Sequence, residues 1–477
     1  MDYRTYASPF SWRYGRAELR SLFSERERRL LWRAVWVALA EAQASKGLVT
    51  AAEVADLKAH AGDVDIDAAL AIEREIHHDL MAEIRVFASQ ATLGGAKLHL
   101  GATSMDIEDT VETYRLRAAL ASVGKNLREL LAAFAIRVRQ YGDLVCMAFT
   151  HLQPAEPTTL GYRMAVYAQD ILIDDANLRF VFDSLTTKGL RGAVGTAASY
   201  EALLGGNGAS FDLERQVLNR FGLQARDVST QTYARKLDYL LLSALAGVGA
   251  SLSKFAADIR ILSSPEFGEV AEPFATAQVG SSAMPFKRNP IICERIDSLA
   301  RLLVGYADVA WQNAATNYLE RTLDDSANRR TILPEALLCT DEIVTLARRV
   351  VDGLRVEERR IAQNLRTFGP FAGTEAVMME AVLAGGNRQD IHEHIRKAAM
   401  VAWDALAQGE ANPLAGILAS DPNLTALLDP ATIQRLLDPS KHVGTAPMRA
   451  RLLADRIDAT APFPTQHIVS TSPEAIT

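Results

Sequence analysis

Three observations on this 477-residue sequence predict an all-α fold. Apolar residues step by threes and fours through several long stretches, no proline breaks the longest of them, and alternating strand patterns of any length are hard to find. Three helical domains are expected. Residues 1–103 alternate short helical stretches with turns and make the N-terminal domain. Residues 104–355 make a central bundle of long helices, interrupted by a loop at 272–290. Its first seam is Leu116, Leu120, Val123, Leu127, Leu130, Phe134 and Val138. Its second is Leu237, Leu241, Leu245, Val248, Leu252, Phe255, Ile259 and Leu262, with no proline between Gln231 and Ser264. Its third is Ile296, Leu299, Leu303, Tyr306 and Ala310. Such seams are the buried faces of extended helices packed side by side. Together they carry more apolar surface than one small bundle hides, which points to oligomerisation. Pro334 should kink or restart the last central helix, which runs toward Leu354. In residues 356–477 prolines and glycines thicken, as expected of a C-terminal domain of shorter helices. From Pro462 onward the tail is rich in Pro, Ser and Thr and should fray.

Composition narrows the class. Hydrophobic residues are 49% and charged residues 23% of the chain, ordinary for a soluble globular protein. A net charge of −7 argues against nonspecific nucleic-acid binding. The three cysteines, Cys146, Cys293 and Cys339, are widely spaced and suggest neither a zinc site nor a disulfide framework. The N-terminal residues contain no apolar core of a signal peptide. The longest uncharged apolar stretch, from Tyr239 to Ser253, is shorter than the ~20 residues a membrane span needs. A cytoplasmic protein with no membrane partner is the expectation.

Residues 280–290 read GSSAMPFKRNP. Two adjacent hydroxyls follow a glycine, then Lys287 and Arg288, with prolines at 285 and 290. Glycine and proline mark irregular backbone, and such loops between rigid elements often carry reacting groups. As bare residues, Ser281 and Ser282 could equally cap a turn. THLQPAEPTT (150–159) reads as a proline-interrupted turn before a helix that starts near Leu160. In GATSMDIED (101–109), Thr103 and Asp106 have capping-box spacing, so a helix starts there with free N–H groups able to hold an anion. In EIHHDLMAE (75–83), adjacent histidines on a helix would point about 100° apart, which speaks against a shared metal. No phosphate-binding G-x-x-x-x-G-K-[ST] loop is present.

GSSAMPFKRNP resembles the signature loop GSSxMPxKxNP of the fumarase/aspartase superfamily, whose members release fumarate from succinyl-type substrates. THLQPAEPTT, GATSMDIED, QTYARKLD (231–238), ERTLDDSANRR (320–330) and AGGNRQDIHEHIR (384–396) are similar to the adenylosuccinate lyase family. They stand in that family's order and span nearly the whole chain. Argininosuccinate lyase and fumarase share the signature loop, but ERTLDDSANRR points away from them.

The resemblance implies a fumarase/aspartase-like fold, a homotetramer with sites shared between subunits, and elimination of fumarate without metal or cofactor. The implied substrates are adenylosuccinate and the succinylated aminoimidazole carboxamide ribotide (SAICAR), giving AMP and AICAR in purine biosynthesis. It makes Ser281 the base that takes the proton from the succinyl group and Lys287 a cation for the resulting dianion. His151 becomes the general acid for the leaving nitrogen, and Glu294 the carboxylate that orients it. His78, Asp79, Thr103, Ser104 and Gln231 match substrate contacts. His77 stands where relatives often carry arginine, and Tyr162-Arg163 where many carry Lys-Arg. Arg13, Tyr14, Arg295, Arg321, Ser326 and Arg330 match positions that hold the nucleotide phosphate. His99 matches a histidine near the site in relatives.

Read without the resemblance, His151 is a capping histidine, Glu294 a solvated glutamate, His99 a buried helix-end histidine and ERTLDDSANRR a solvated helix face. Three other functions stay open on sequence: argininosuccinate cleavage, a non-catalytic helical scaffold, and a nucleotide-binding regulator.

Overall fold

The computed structural model describes residues 4–467 and residue 469. The N-terminal segment holds α1 (Ala17–Leu22), α2 (Glu25–Ala44), α3 (Ala51–His60), α4 (Ile66–Ile76) and α5 (Asp79–Gln90). The long α6 (Ser104–Gln140) follows, then a hairpin of β1 (Val145–Thr150) and β2 (Gln153–Thr159), and α7 (Leu160–Ser184). Two shorter helices, α8 (Ala198–Leu204) and α9 (Ala209–Arg220), precede α10 (Lys236–Leu262). A short strand β3 (Val270–Ala271) leads to the signature loop, then α11 (Ile291–Thr316), α12 (Ser326–Asp352) and β4 (Arg355–Val356), which pairs antiparallel with β3. Helices α13 (Glu358–Ala372) to α19 (Ala446–Ala459) complete the described chain.

The three seams form one core. α10 lies against α7, α11 and α12, and α6 lies against α7 and α12. Leu120, Leu127 and Phe134 of α6 meet Leu245, Leu252 and Phe255 of α10 and Ile296 and Leu303 of α11 in a single buried cluster. α10 is apolar and long enough to cross a membrane by composition and length, yet Leu237 to Leu262 supply the centre of this core. A second core joins α2, α3 and α5 to the start of α6 and to α9 (Trp36, Phe87, Tyr114, Leu213 and Phe221 among others). A third lies within residues 377–437 around Ile391, Leu414, Leu418 and Ile433.

Three local expectations need correction. α12 does not restart at Pro334 but runs on through it, although the proline lacks the N–H that would bond the Arg330 carbonyl one turn earlier. The helix survives because Ile332, Leu333, Ala336 and Leu337 are buried around the proline. The segment from Pro462 does not fray at its start. Phe463 is buried against Phe182 and over Gly124, where an added Cβ would come 2.4 Å from the ring. Gln466 accepts a hydrogen bond from Arg117 at 2.7 Å and donates to the Phe221 carbonyl at 2.6 Å. The end of the expected fraying tail, residues 468 and 470–477, lies outside the described residues. The THLQPAEPTT segment is a β-hairpin arm: Pro154 and Pro157 sit in β2 opposite Phe149 and Met147. An edge strand tolerates proline because it has no further strand to donate to.

Candidate functional site

The residues singled out from sequence fall in three places. The first gathers around the N-termini of α5, α6 and α12. His77 ends α4 in the left-handed conformation (φ 55°), and its N–H bonds the Glu73 carbonyl at 2.7 Å. His78 then caps α5, its Nδ1 accepting from the Met81 N–H at 3.3 Å. The two histidines therefore do not share a helix, contrary to the sequence-based expectation. One closes a helix and the next opens another. His78 Nε2 lies 3.5 Å from Ser104 Oγ. Asp79 pairs with Arg330 at 2.8 Å. Burial pushes the Asp79 carboxyl up, but Arg330 and the Leu80 N–H outweigh it and hold the group below the usual carboxylate range.

α6 begins where the capping spacing places it. Asp106 Oδ2 accepts from the Thr103 N–H at 3.0 Å. The same carboxylate is fully buried and pairs with Lys188 at 2.6 Å, and it also accepts from the N–H groups of Arg191 and Gly192. Asp106 is thus committed to the fold, while the Thr103 and Ser104 hydroxyls stay at the helix N-terminus.

ERTLDDSANRR divides in the same way. Arg329 bonds Asp238 at 2.7 Å, and Asp325 bonds Arg235 at 2.5 Å, with Arg235 also reaching Asp109 at 3.2 Å. This buried network pins the start of α12 to α6 and α10. Arg321 joins it through Asp325 at 3.1 Å. Ser326 and Arg330 line a cavity of about 240 Å³ together with Arg28, Trp32, Glu108 and Arg115, and Arg329 and Asp109 of the network also stand on its wall. Burial pushes the Glu108 carboxyl up to about 8, with Asp79 and Asp109 adding to the shift and Arg28 and Arg330 opposing it. Gln231 joins this region through its N–H, which bonds the Glu320 carbonyl at 3.3 Å. Near the N-terminus, the exposed Arg13 lies over the rings of Trp12 and Tyr14. Its neighbour Arg16 is tied down by Asp341 at 2.8 Å.

The second place is the hairpin tip. His151 and Leu152 form the two-residue turn between β1 and β2, at φ 55° and 61°. That pair of positive φ values matches the right-handed twist of a hairpin. It leaves His151 exposed at the apex. Beneath it, Arg163 pairs with the buried Glu269 at 3.1 Å, so this arginine supports the fold behind the hairpin.

The third place is the signature loop. Asn289 Nδ2 donates to the Gly280 carbonyl at 2.9 Å and closes its base. Only glycine fits at 280, since a Cβ would stand 2.0 Å from the Lys287 carbonyl oxygen. Two backbone N–H groups converge on Ser281 Oγ, from Met284 at 3.1 Å and Ala283 at 3.4 Å. Donors aimed at an oxygen favour negative charge there. At the loop's end, the buried Glu272 accepts from the N–H groups of Ile292 and Cys293, at 3.0 and 2.9 Å, and so caps α11. Glu294 is exposed and Arg295 half-buried in the first turn of α11.

Among the described residues, no hydrogen bond or ion pair reaches the side chains of His151, Lys287, Glu294 or Arg295. None joins the hairpin tip or the signature loop to the first group. Two structural partners escaped the sequence reading. Trp36 bonds His99, and Lys188 neutralises Asp106. Neither lies in a motif, and both pairings span more than sixty residues of chain, 63 and 82 respectively.

Comparison with known proteins follows the same lines. Residues 14–305 match the family described as Lyase, and residues 370–451 match the family described as Adenylosuccinate lyase C-terminus. The chain is 36% identical to the adenylosuccinate lyase of Schistosoma mansoni, with 93% of each chain covered. It is 35% identical to that of Schizosaccharomyces pombe, with 97% of each covered. In solved structures it resembles a Mesorhizobium fumarate lyase (TM-score 0.81, 25% identity, 94% of this chain and 99% of that one). It also resembles the 3-carboxy-cis,cis-muconate lactonizing enzyme of Pseudomonas putida (TM-score 0.82, 26% identity, the same coverage).

Proposed function

The chain belongs to the adenylosuccinate lyase family, and from that premise we propose that it eliminates fumarate from adenylosuccinate, leaving AMP. The same site would release fumarate from SAICAR, leaving AICAR. The observation that carries this reading is the pair of N–H groups on Ser281 Oγ. Removing a proton beside a carboxylate needs a strong base, and an undisturbed serine is a poor one. The N–H groups of Ala283 and Met284 stabilise the alkoxide that does the work.

Ser281 takes the proton, and Lys287 in the same loop balances the dianionic intermediate. His151 protonates the departing nitrogen, with Glu294 holding its ring in the right tautomer. The N-terminus of α6, with Thr103, Ser104 and His78 beside it, receives the succinyl carboxylates, and Gln231 contacts the substrate nearby. His77 orders the chain at this corner, and Asp79 holds Arg330 in reach of the phosphate. Arg13, Tyr14, Arg295, Arg321 and Ser326 complete the phosphate-binding set.

A homotetramer is the natural setting for these residues. His151, Lys287 and Glu294 present unpaired side chains outward. Val166, Ile173 and Phe180, spaced by seven on α7, form an exposed apolar stripe of the kind that another helix covers. We place the reaction in the cytoplasm, where the buried free thiols of Cys146, Cys293 and Cys339 stay reduced.

The test is fumarate release from the purified protein given adenylosuccinate, followed by ultraviolet absorbance. Turnover supports the reading. A folded protein that is inert toward both adenylosuccinate and SAICAR overturns it.

A further inference from the structure

His99 sits in the turn between α5 and α6, at φ 67°. The turn is held from two sides: the Ala102 N–H bonds the His99 carbonyl at 3.1 Å, and Gln43 of α2 donates to the Leu100 carbonyl at 2.8 Å. The His99 ring is held by a third contact. The indole Nε1–H of Trp36, buried in the middle of α2, lies 3.0 Å from His99 Nδ1. The two rings meet edge to face, 6.0 Å between centres at 81°. An indole nitrogen can only donate. His99 Nδ1 must therefore present its lone pair, and a neutral imidazole with a bare Nδ1 carries its proton on Nε2. No other hydrogen bond to this ring occurs among the described residues, so Nε2–H is free to donate elsewhere.

We propose that Trp36 is a positioning residue: it fixes His99 as an uncharged imidazole protonated on Nε2, a donor for a carboxylate oxygen of the succinyl group at the N-terminus of α6. The choice of acceptor rests on the function proposed above. The tautomer does not.

The surroundings agree. Burial holds the His99 imidazole down at about 4, with Asp106 opposing the shift and His78 adding to it. These are the titratable groups that face the ring, His78 from the cap of α5 and Asp106 from the first turn of α6. Asp106 is already neutralised by Lys188. A protonated His99 would also set an Nδ1–H against the indole N–H, donor against donor. The result is a histidine whose charge stays constant across the range in which an ordinary histidine titrates, about pH 5 to 8. It contributes direction to substrate binding and no pH dependence.

Two measurements on the full-length protein test this. With histidine labelled in ¹⁵N and His99→Asn used for assignment, the spectrum should show an unprotonated Nδ1 and a protonated Nε2 for His99, unchanged from pH 8 to pH 5. The second uses Trp36→Phe, which keeps an aromatic ring in the core and removes the N–H. In that variant KM for adenylosuccinate should rise several-fold at pH 8, with kcat within about twofold of the parent. A proton on Nδ1 in the parent protein sinks the proposal, and so does a folded Trp36→Phe protein whose KM at pH 8 equals the parent's. If Trp36→Phe does not fold, the parent spectrum decides. If the parent does not turn over adenylosuccinate, the proposed reaction falls and the spectrum still decides the role of Trp36.

Discussion

At the scale of the residue, the motifs single out candidate side chains, and the structure shows which of their neighbours are committed to the fold. Arg330 and Ser326 line a cavity, Asp325 and Asp238 are spent in a buried network, and Arg329 belongs to both. That sorting was not legible, because a run such as ERTLDDSANRR carries no signal for which charges find partners on distant helices. Ser281→Ala and His151→Ala should each lower kcat by about 10²–10⁴, the usual range for a lost acid or base, with an unchanged circular dichroism spectrum. A folded variant within about twofold of the parent would remove that residue from the reaction. Glu108 makes a separate prediction. Its carboxyl titrates at about 8 in the folded chain, against roughly 4.3 in the unfolded one. The unfolded chain thus binds fewer protons between these values, so stability falls as pH rises from about 4.3 to 8. Glu108→Gln imitates the protonated form. It should melt with the parent at pH 5 and above it at pH 8.5. Identical melting curves at both would show that Glu108 ionises freely.

Elements were legible in proportion to their length. The seams of α6, α10 and α11 stood out because a long amphipathic period has few competing explanations, and the structure buries the named residues in one cluster, with Tyr306 packed half-buried against it. The β1–β2 hairpin was missed because the prolines of β2 hide its alternation and its turn, His151-Leu152, lacks the Asn-Gly signature. The cap on α11 was missed because Glu272 stands 20 residues before the first N–H it accepts from. Glu272→Ala leaves two N–H donors at the head of α11 without their acceptor and should cost about 1–2 kcal/mol, the upper range for a lost cap. The loss would be read as a lower urea midpoint with an unchanged slope. Because that helix carries Glu294 and Arg295, kcat/KM should fall with it. A midpoint within error of the parent would mean that other groups replace the cap.

At the scale of the whole molecule, what a sequence conceals is which distant stretches share a core. α9 completes the core of α2, α3 and α5, and α19 with Phe463 returns to α6 and α7. Periodicity shows that a face is buried and says nothing about what buries it. The stripe on α7 raises the same question one level up. Ile173 is 54% and Phe180 63% exposed in the single chain. Phe180→Glu should shift sedimentation from the proposed tetramer to smaller species and take activity with it, while retention of both would free that stripe from assembly. Backbone conformation has its own distribution. Seven non-glycine residues among those described have positive φ, and three are His77, His99 and His151. An ordinary residue held in that conformation costs roughly 1–2 kcal/mol, and glycine escapes the cost. His151→Gly should therefore raise the melting temperature while lowering kcat as far as His151→Ala does, and a lower melting temperature would show that the hairpin tip is unstrained. On the role proposed for His151, selection for heat resistance alone favours its loss, so directed evolution of this protein must screen for turnover in every round.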